Sequence, residues 1–286
     1  MIFTYKKWES FCLRLQQMGR QSIPAREVKG ISGGYLVLKH DVETNVGSAY
    51  RMAQIEEKYG HRGSYYVQAY LLENSENVVL LQKMQKMGHE ISYHYDVMDS
   101  CKGNLAAAME EFETNRKRFE ENGFSVITVC QHGNPVVERV GYTSNRDFFR
   151  SKEVCDRYPD IADIMVNYPA AYETEYLYFS DAGRIFKRIY DPINNDVMDS
   201  EDKNIPYEDL TVLQNALQRE KGNIVSVHPH RWTASATKYV VKNAVFKTVK
   251  FAAKVFIKIP FLKYLIYYTL IPLFCQAIFI IITENC

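Results

Sequence analysis

Four histidines and an aspartate stand at the carboxyl ends of short apolar runs rich in β-forming residues. The run 35–41 ends in His40 and Asp41, and later runs end in His94, His132 and His228. Imidazole and carboxylate groups are ligands for a divalent cation, and a catalytic site leaves one position open for water. Asp41 with two of these histidines would supply such a set. The remaining ionisable groups would then serve as base, acid and orienting partners.

The apolar runs alternate with stretches of helical period, which is the pattern of βα units around a parallel sheet. Strands are predicted at 35–41, 63–70, 90–94, 126–132, 161–168, 177–181 and 224–228, and helices at 45–59, 76–87, 104–121 and 207–219. The helices are followed by glycines suited to a C-terminal cap, Gly60, Gly88, Gly123 and Gly222. The segment 183–206 reads as an irregular insertion. We therefore predict an α/β fold, a (β/α) barrel.

In parallel βα architectures the carboxyl ends of the strands meet where the βα loops converge. This rule brings His40, His94, His132, His228 and His230 towards one site. Two further histidines, His61 and His89, stand at the starts of strands, and we interpret them as structural or solvated.

Structural alternatives stay open for individual residues. A histidine taken alone is more often a hydrogen-bonded core or surface residue than a ligand. Asp41 could instead cap the next helix, although Thr44 and Asn45 are better placed to do so. Asp181 ends the run 177–181 and precedes Ala-Gly, so it suits a turn as well as a site.

The order of these motifs resembles the NodB-homology polysaccharide deacetylases, carbohydrate esterase family 4, in a divergent branch associated with surface-glycan biosynthesis. The matching segments are Lys39-His40-Asp41-Val42-Glu43, Gly63-Ser64-Tyr65-Tyr66-Val67, Gly88-His89-Glu90-Ile91-Ser92-Tyr93-His94, Gln131-His132-Gly133-Asn134-Pro135 and Ser226-Val227-His228-Pro229-His230. The resemblance spans about residues 35 to 232. It implies a NodB-type distorted (β/α) barrel, a metal-binding role for Asp41 and His94, and a general acid at His228.

The chain departs from that family at two positions. The family carries a second histidine four residues after His94, where this chain has Met98, a poor ligand for a hard or borderline cation. Either His132, or less readily Asp96, completes the metal shell, or the site is degenerate. His40 replaces the usual base, and its ordinary pKa of about 6.5 would change the pH profile.

Together these considerations define the expected site and its cofactor. The expected cofactor is a divalent metal, zinc in the first instance. The expected metal ligands are Asp41, His94 and His132, the catalytic residues His40, His228 and Asp181, and the substrate-binding residues His230, Trp232 and Tyr93.

The carboxyl-terminal part of the chain differs from the rest in composition. Seven lysines and no acidic residue occur from Lys238 to Lys263, and residues 264–283 carry no charge. We predict a barrel domain at 1–237 and a basic, then hydrophobic, helical tail at 238–286. The tail is expected to associate with the membrane, spanning it or lying flat; the alternative is a helix docked on the barrel or on a second subunit.

The resemblance implies removal of an N-acetyl group from a sugar, with a glycan or a nucleotide-linked or lipid-linked precursor as substrate. The first residues lack the apolar core of a signal peptide, and six cysteines show no disulfide pattern, which favours the cytoplasmic side of the membrane. No nucleic-acid motif accompanies the lysines. The alternative function is a catalytically degenerate carbohydrate-binding or scaffold protein on the same barrel.

Overall fold

The structure is a computed structural model that describes residues 1–31, 33–134, 137–197 and 205–256. These residues divide into two compact units, one largely Phe3–Ala234 and one that begins at Ser235. The first unit is a mixed α/β fold. Its strands are β1 (Leu36–Val42), β2 (Ser64–Val67), β3 (Glu90–Tyr95), β4 (Thr128–Gln131), β5 (Ala162–Asp163), β6 (Tyr176–Ser180), β7 (Lys187–Ile189), β8 (Ile205–Pro206) and β9 (Gly222–Val227).

The helices of the described residues differ widely in length. They are α1 (Tyr5–Gln17), α2 (Val46–Lys58), α3 (Ser75–Lys86), α4 (Val97–Ser100), α5 (Leu105–Glu121), α6 (Asp147–Arg150), α7 (Lys152–Arg157), α8 (Tyr168–Ala171), α9 (Leu210–Ala216) and, in the second unit, α10 (Ala236–Phe256).

The strands form one sheet in the order β5-β4-β3-β2-β1-β9-β6-β7-β8. Pairing is parallel from β5 to β6 and antiparallel for β7 and β8. The parallel βα order is therefore confirmed. Closure into a barrel is not confirmed, because the paired strands form an open row from β5 to β8 within the described residues.

Local sequence signals account for the long helices. Asparagine side chains at 45, 74 and 104 accept a backbone N–H in the first turns of α2, α3 and α5, which satisfies a donor that has no partner within the helix. Gly60, Gly88 and Gly123 follow these helices with φ between 74° and 91°. Gly222 differs from the expected cap, because it begins β9.

Side chains alternate between the two faces of the sheet, as the pleat of a strand requires. On one face, Tyr65 and Tyr93 belong to a core that also contains Phe112 of α5. On the other face, Tyr66 and Cys130 belong to a second buried cluster. Because neighbours in a strand face opposite sides, only every second residue of β1 and β3 can reach the functional face.

Two sequence expectations fall short in the irregular regions. The predicted strand at 161–168 is reduced to the two residues of β5, and the expected insertion at 183–206 contains β7 and β8. Within the described residues, no helix is long and apolar enough to span a membrane. The apolar segment 264–283 lies outside the described residues.

Candidate metal and catalytic site

The first strand carries three ionisable side chains at a spacing of two. Lys39 and Asp41 lie within β1, and Glu43 follows its last residue. The Lys39 Nζ atom lies 2.5 Å from Oδ1 of Asp41, and the lysine side chain is 1% exposed. Burial would raise the pKa of Asp41, but Lys39, His94 and His228 together lower it to about 2. Asp41 is therefore a carboxylate that already has a cationic partner.

His94 emerges from β3 towards the same site and is buried. Its Nδ1 atom lies 3.0 Å from the carbonyl oxygen of Cys130, while Nε2 is buried without a hydrogen-bond partner among the described residues. Burial lowers the pKa of His94 to about 4. A neutral imidazole with an unused nitrogen is suited to binding a metal.

His132 follows β4 and faces Glu43. The distance from His132 Nε2 to Glu43 Oε1 is 3.5 Å, and the His94 and His132 ring centroids are 5.1 Å apart. Burial opposes protonation of His132, but the bond to Glu43 outweighs it and raises the pKa of His132. Asn145 Nδ2 donates to the His132 carbonyl at 2.8 Å, which fixes the backbone at this point.

His228 follows β9 and is held by the carboxylate of Asp181, which follows β6. The distance from His228 Nδ1 to Asp181 Oδ1 is 2.5 Å, and Arg231 Nη1 donates to the same oxygen at 3.1 Å. Burial would raise the pKa of Asp181, but His228 and Arg231 lower it. The other ring nitrogen, Nε2, lies 3.7 Å from Asp41 and 3.6 Å from Glu43.

The structure also brings His230 to this cluster. Its Nδ1 atom lies 3.7 Å from Oε2 of Glu43. Burial lowers the pKa of His230 to about 3, so the ring is neutral near pH 7. Burial would raise the pKa of Glu43, but His132, His228 and His230 lower it well below the ordinary value.

Two overlapping sets of side chains offer metal ligands. The ligand atoms of Glu43, His94 and His132 lie within 4.8 Å of one another, and so do those of Asp41, His94 and Cys130. The unused Nε2 of His94 and the nitrogen, oxygen and sulfur donors fit a divalent transition metal such as zinc. The expected ligands Asp41 and His132 belong to different sets, and His94 belongs to both.

His40 does not join the cluster, contrary to the expected role as base. Its Nε2 atom lies 2.8 Å from Oε1 of Glu56 on α2, and its ring stacks on Tyr65 with the centroids 4.0 Å apart. The imidazole is fully buried. The physical reason is the strand pleat: Asp41 faces the site, so the preceding residue must face the helices.

His61 and His89, the two histidines predicted at the starts of strands, are buried away from the site. The backbone N–H of Ser22 donates to His61 Nδ1 at 3.1 Å, and that of Gly63 donates to His89 Nδ1 at 2.9 Å. Both rings have a structural hydrogen bond.

Neither aromatic residue expected to bind substrate is accessible. Tyr93 is 1% exposed, and its hydroxyl accepts a hydrogen bond from Asn115 of α5. Trp232 is 2% exposed and stacks on Phe3 with the centroids 5.0 Å apart. Both expectations are corrected for the same reason: these rings fill the core between structural elements, so a sugar cannot stack on them.

The position of Met98 explains why it is no ligand. Met98 lies in α4, is 4% exposed and belongs to the hydrophobic core. Asp96, the weaker alternative ligand, has a pKa that burial raises. It belongs to neither of the two ligand sets found among the described residues.

Sequence reasoning missed four residues of the site: Lys39, Glu43, Cys130 and Arg231. Alternation along the strand is the signal that could have found Lys39 and Glu43. Each lies two residues from Asp41, so each faces the same side of the sheet as Asp41. Cys130 likewise lies two residues before His132. No comparable signal marks Arg231, because its contact with Asp181 joins residues 50 positions apart.

Fold and site together define a mixed α/β protein with a candidate metal centre at the carboxyl ends of parallel strands. No protein-family model and no curated protein matches the chain. Comparison with solved structures finds domains of carbohydrate esterase family 4.

One is the Xyl-CE4 domain of a multidomain xylanase from the hindgut metagenome of Trinervitermes trinervoides. It is 16% identical, with a TM-score of 0.36 over 70% of this chain and 75% of that chain. Another is a mutant of a CE4 family pseudoenzyme with restored enzymatic activity. It is 16% identical, with a TM-score of 0.38 over 81% of this chain and 68% of that chain.

Proposed function

We propose that this protein is a metal-dependent hydrolase that removes an N-acetyl group from a sugar. The observation that carries the proposal is the convergence of Asp41, Glu43, His94, His132 and His228 at one end of the sheet. These side chains combine ligands for a divalent ion with an imidazole that can move a proton.

The candidate ligands are Glu43, His94 and His132, or Asp41, His94 and Cys130. A bound divalent ion would polarise the acyl oxygen and lower the pKa of water. His94 brings a buried, unused Nε2 to that position. The network around Asn145 holds His132 in place through its backbone.

His228 is the residue placed to move a proton during amide cleavage. Asp181 engages Nδ1 and so directs Nε2 towards Asp41 and Glu43. We assign to Nε2 the proton that must reach the leaving amine nitrogen when the C–N bond breaks. Since His40 faces Glu56, no role in the reaction is assigned to it.

The test is acetate release from N-acetylated mono- and oligosaccharides by the purified full chain. A chelator should abolish release, and zinc should restore it. His94→Ala should be inactive, whereas Asp156→Asn, which changes an exposed carboxylate paired with Lys152, should match wild type. Chelator-resistant acetate release, or full activity in His94→Ala, would contradict the proposal.

A second candidate function is a carbohydrate-binding or scaffold protein without turnover. Two observations favour it: Met98 lies in the core where a ligand was expected, and Lys39 already neutralises Asp41. Metal analysis separates the two functions. Glycan binding by protein that takes up no stoichiometric zinc, with no acetate release, would support this second function.

We further propose that the substrate is a precursor of a surface polysaccharide, met at the cytoplasmic face of the membrane. The support comes from the sequence: a basic stretch precedes the uncharged segment 264–283. Deletion of 238–286 should release the protein from the membrane fraction. Full-length protein that is soluble without detergent would contradict this location.

A further inference from the structure

A buried ammonium group occupies one side of the Asp41 carboxylate. Lys39 Nζ lies 2.5 Å from Asp41 Oδ1 and donates to Ser226 Oγ at 3.3 Å. The lysine is 1% exposed, so it cannot swing into water when another cation approaches. A divalent ion on the same carboxylate would lie close to a like charge with little solvent to screen it.

A second carboxylate, that of Glu43, lies nearby and has no buried ammonium group beside it within the described part of the chain. Glu43 Oε1 is 3.5 Å from His132 Nε2 and 3.6 Å from His228 Nε2, and Oε2 is 3.7 Å from His230 Nδ1. Its side chain is 22% exposed, against 10% for Asp41, so an ion can reach it more easily. The neighbours of the Glu43 carboxylate are imidazoles, which can be neutral, whereas the Asp41 carboxylate lies beside the ammonium group of Lys39.

We propose that the metal centre of this chain is built on Glu43, His94 and His132, and that Asp41 is kept from the metal by Lys39. The metal would therefore be held by Glu43 in place of Asp41. Glu43 lies two residues further along the chain, so its side chain faces the same side of the sheet. Two imidazoles and one carboxylate are the ligand set of a divalent transition ion such as zinc. This inference rests on the proposed function only in assuming a resident divalent ion.

The competing arrangement is the inner set Asp41, His94 and Cys130. The two sets share His94, so a His94 variant cannot distinguish them. They differ in the carboxylate and in the presence of a thiol. A thiolate bound to cobalt(II) gives a strong near-ultraviolet charge-transfer band, which carboxylate and imidazole ligands do not give. The ligand identity can therefore be read without measuring activity.

The experiment is titration of the metal-free full chain with zinc and with cobalt(II), followed by calorimetry and absorption spectroscopy. Glu43→Gln should weaken binding by more than about 100-fold, whereas Asp41→Asn should change it by less than about threefold. The wild-type cobalt spectrum should lack the thiolate band, and Cys130→Ser should leave the spectrum unchanged.

Asp41→Asn leaves Lys39 buried without its anionic partner and can fail to fold. The double variant Lys39→Met with Asp41→Leu removes the buried pair as a unit, which proteins often tolerate. It should still bind zinc with an affinity close to that of wild type.

Three results would overturn the inference: a thiolate band in wild type, loss of zinc binding in the folded double variant, or unchanged affinity in Glu43→Gln. In all three cases wild type still binds metal, so the proposed hydrolase would survive. If wild-type protein binds neither zinc nor cobalt, both the inference and the hydrolase are wrong.

Discussion

Asp181 holds His228 through two different atoms of the histidine. One carboxylate oxygen lies 2.5 Å from Nδ1 of the ring, and the other accepts the backbone N–H of His228 at 3.1 Å. This double contact fixes both the ring orientation and the position of its loop. The arrangement joins the end of β6 to the end of β9, which are adjacent in the sheet.

Asp181→Asn should lower acetate release by about 100-fold or more, because the amide cannot stabilise a protonated His228 ring. Zinc affinity should stay within a few-fold of wild type, since Asp181 belongs to neither of the described ligand sets. Steady-state assays and zinc titration of the same preparation check both expectations. Equal activity of the variant and wild type would contradict this role of Asp181.

Asn145 should affect metal binding from outside the ligand set. Its Nδ2 atom donates to the His132 carbonyl and to Asp99 Oδ2, each at 2.8 Å, and its Oδ1 accepts the Asp99 N–H. We expect Asn145→Ala to weaken zinc binding by about 10- to 100-fold, as loss of a supporting contact does in metal sites. Zinc titration by calorimetry measures the change.

The control is Arg139→Gln, which disturbs the same network at Asp99 without touching His132. Its effect on zinc binding should be the smaller of the two. If both variants weaken binding equally, general loosening of the loop explains the result better than the contact with His132.

His40 should matter for stability and not for metal binding. His40→Ala leaves the carboxylate of Glu56 buried with one partner fewer, at a cost of about 3 kcal/mol in the free energy of unfolding. Urea denaturation measures that cost, and zinc affinity should remain unchanged. His132→Ala should show the reverse pattern, with lost affinity and a small change in stability. A normally stable but inactive His40→Ala would restore the expected catalytic role.

Asp163 should make the protein less stable as pH rises. Burial raises its pKa to about 6, so the folded state binds more protons than the unfolded state between about pH 4 and 6. Stability contributed by this group is therefore lost as pH rises through that window. Relative to Asp163→Asn, the free energy of unfolding of wild type should fall by about 3 kcal/mol.

Chemical denaturation of both proteins from about pH 4 to about pH 7 tests this sign. Asparagine can keep one acceptor for the Met165 N–H while its amide faces the Tyr95 hydroxyl, so the variant should fold. Parallel stability curves for the two proteins would contradict the prediction.

Much of the fold follows from local sequence signals. Asparagine caps and positive-φ glycines delimit α2, α3 and α5, and the predicted bounds differ from the observed ones by one residue or so. Short elements escape such reasoning because one turn of helix or a two-residue strand has too few residues for a period to appear. β7 and β8 are examples: they are recognised as strands only because they pair with neighbouring strands in the folded chain.

The sequence by itself determined that Asp41, His94, His132 and His228 lie at the carboxyl ends of strands, because apolar runs and their ends are local features. Tertiary structure decided which side of each strand faces the site. That choice sends Asp41 inward and His40 towards Glu56, and it adds Lys39, Glu43 and Cys130 to the cluster. The physical reason is that the pleat makes adjacent side chains face opposite sides, while only packing against the helices selects which side is which.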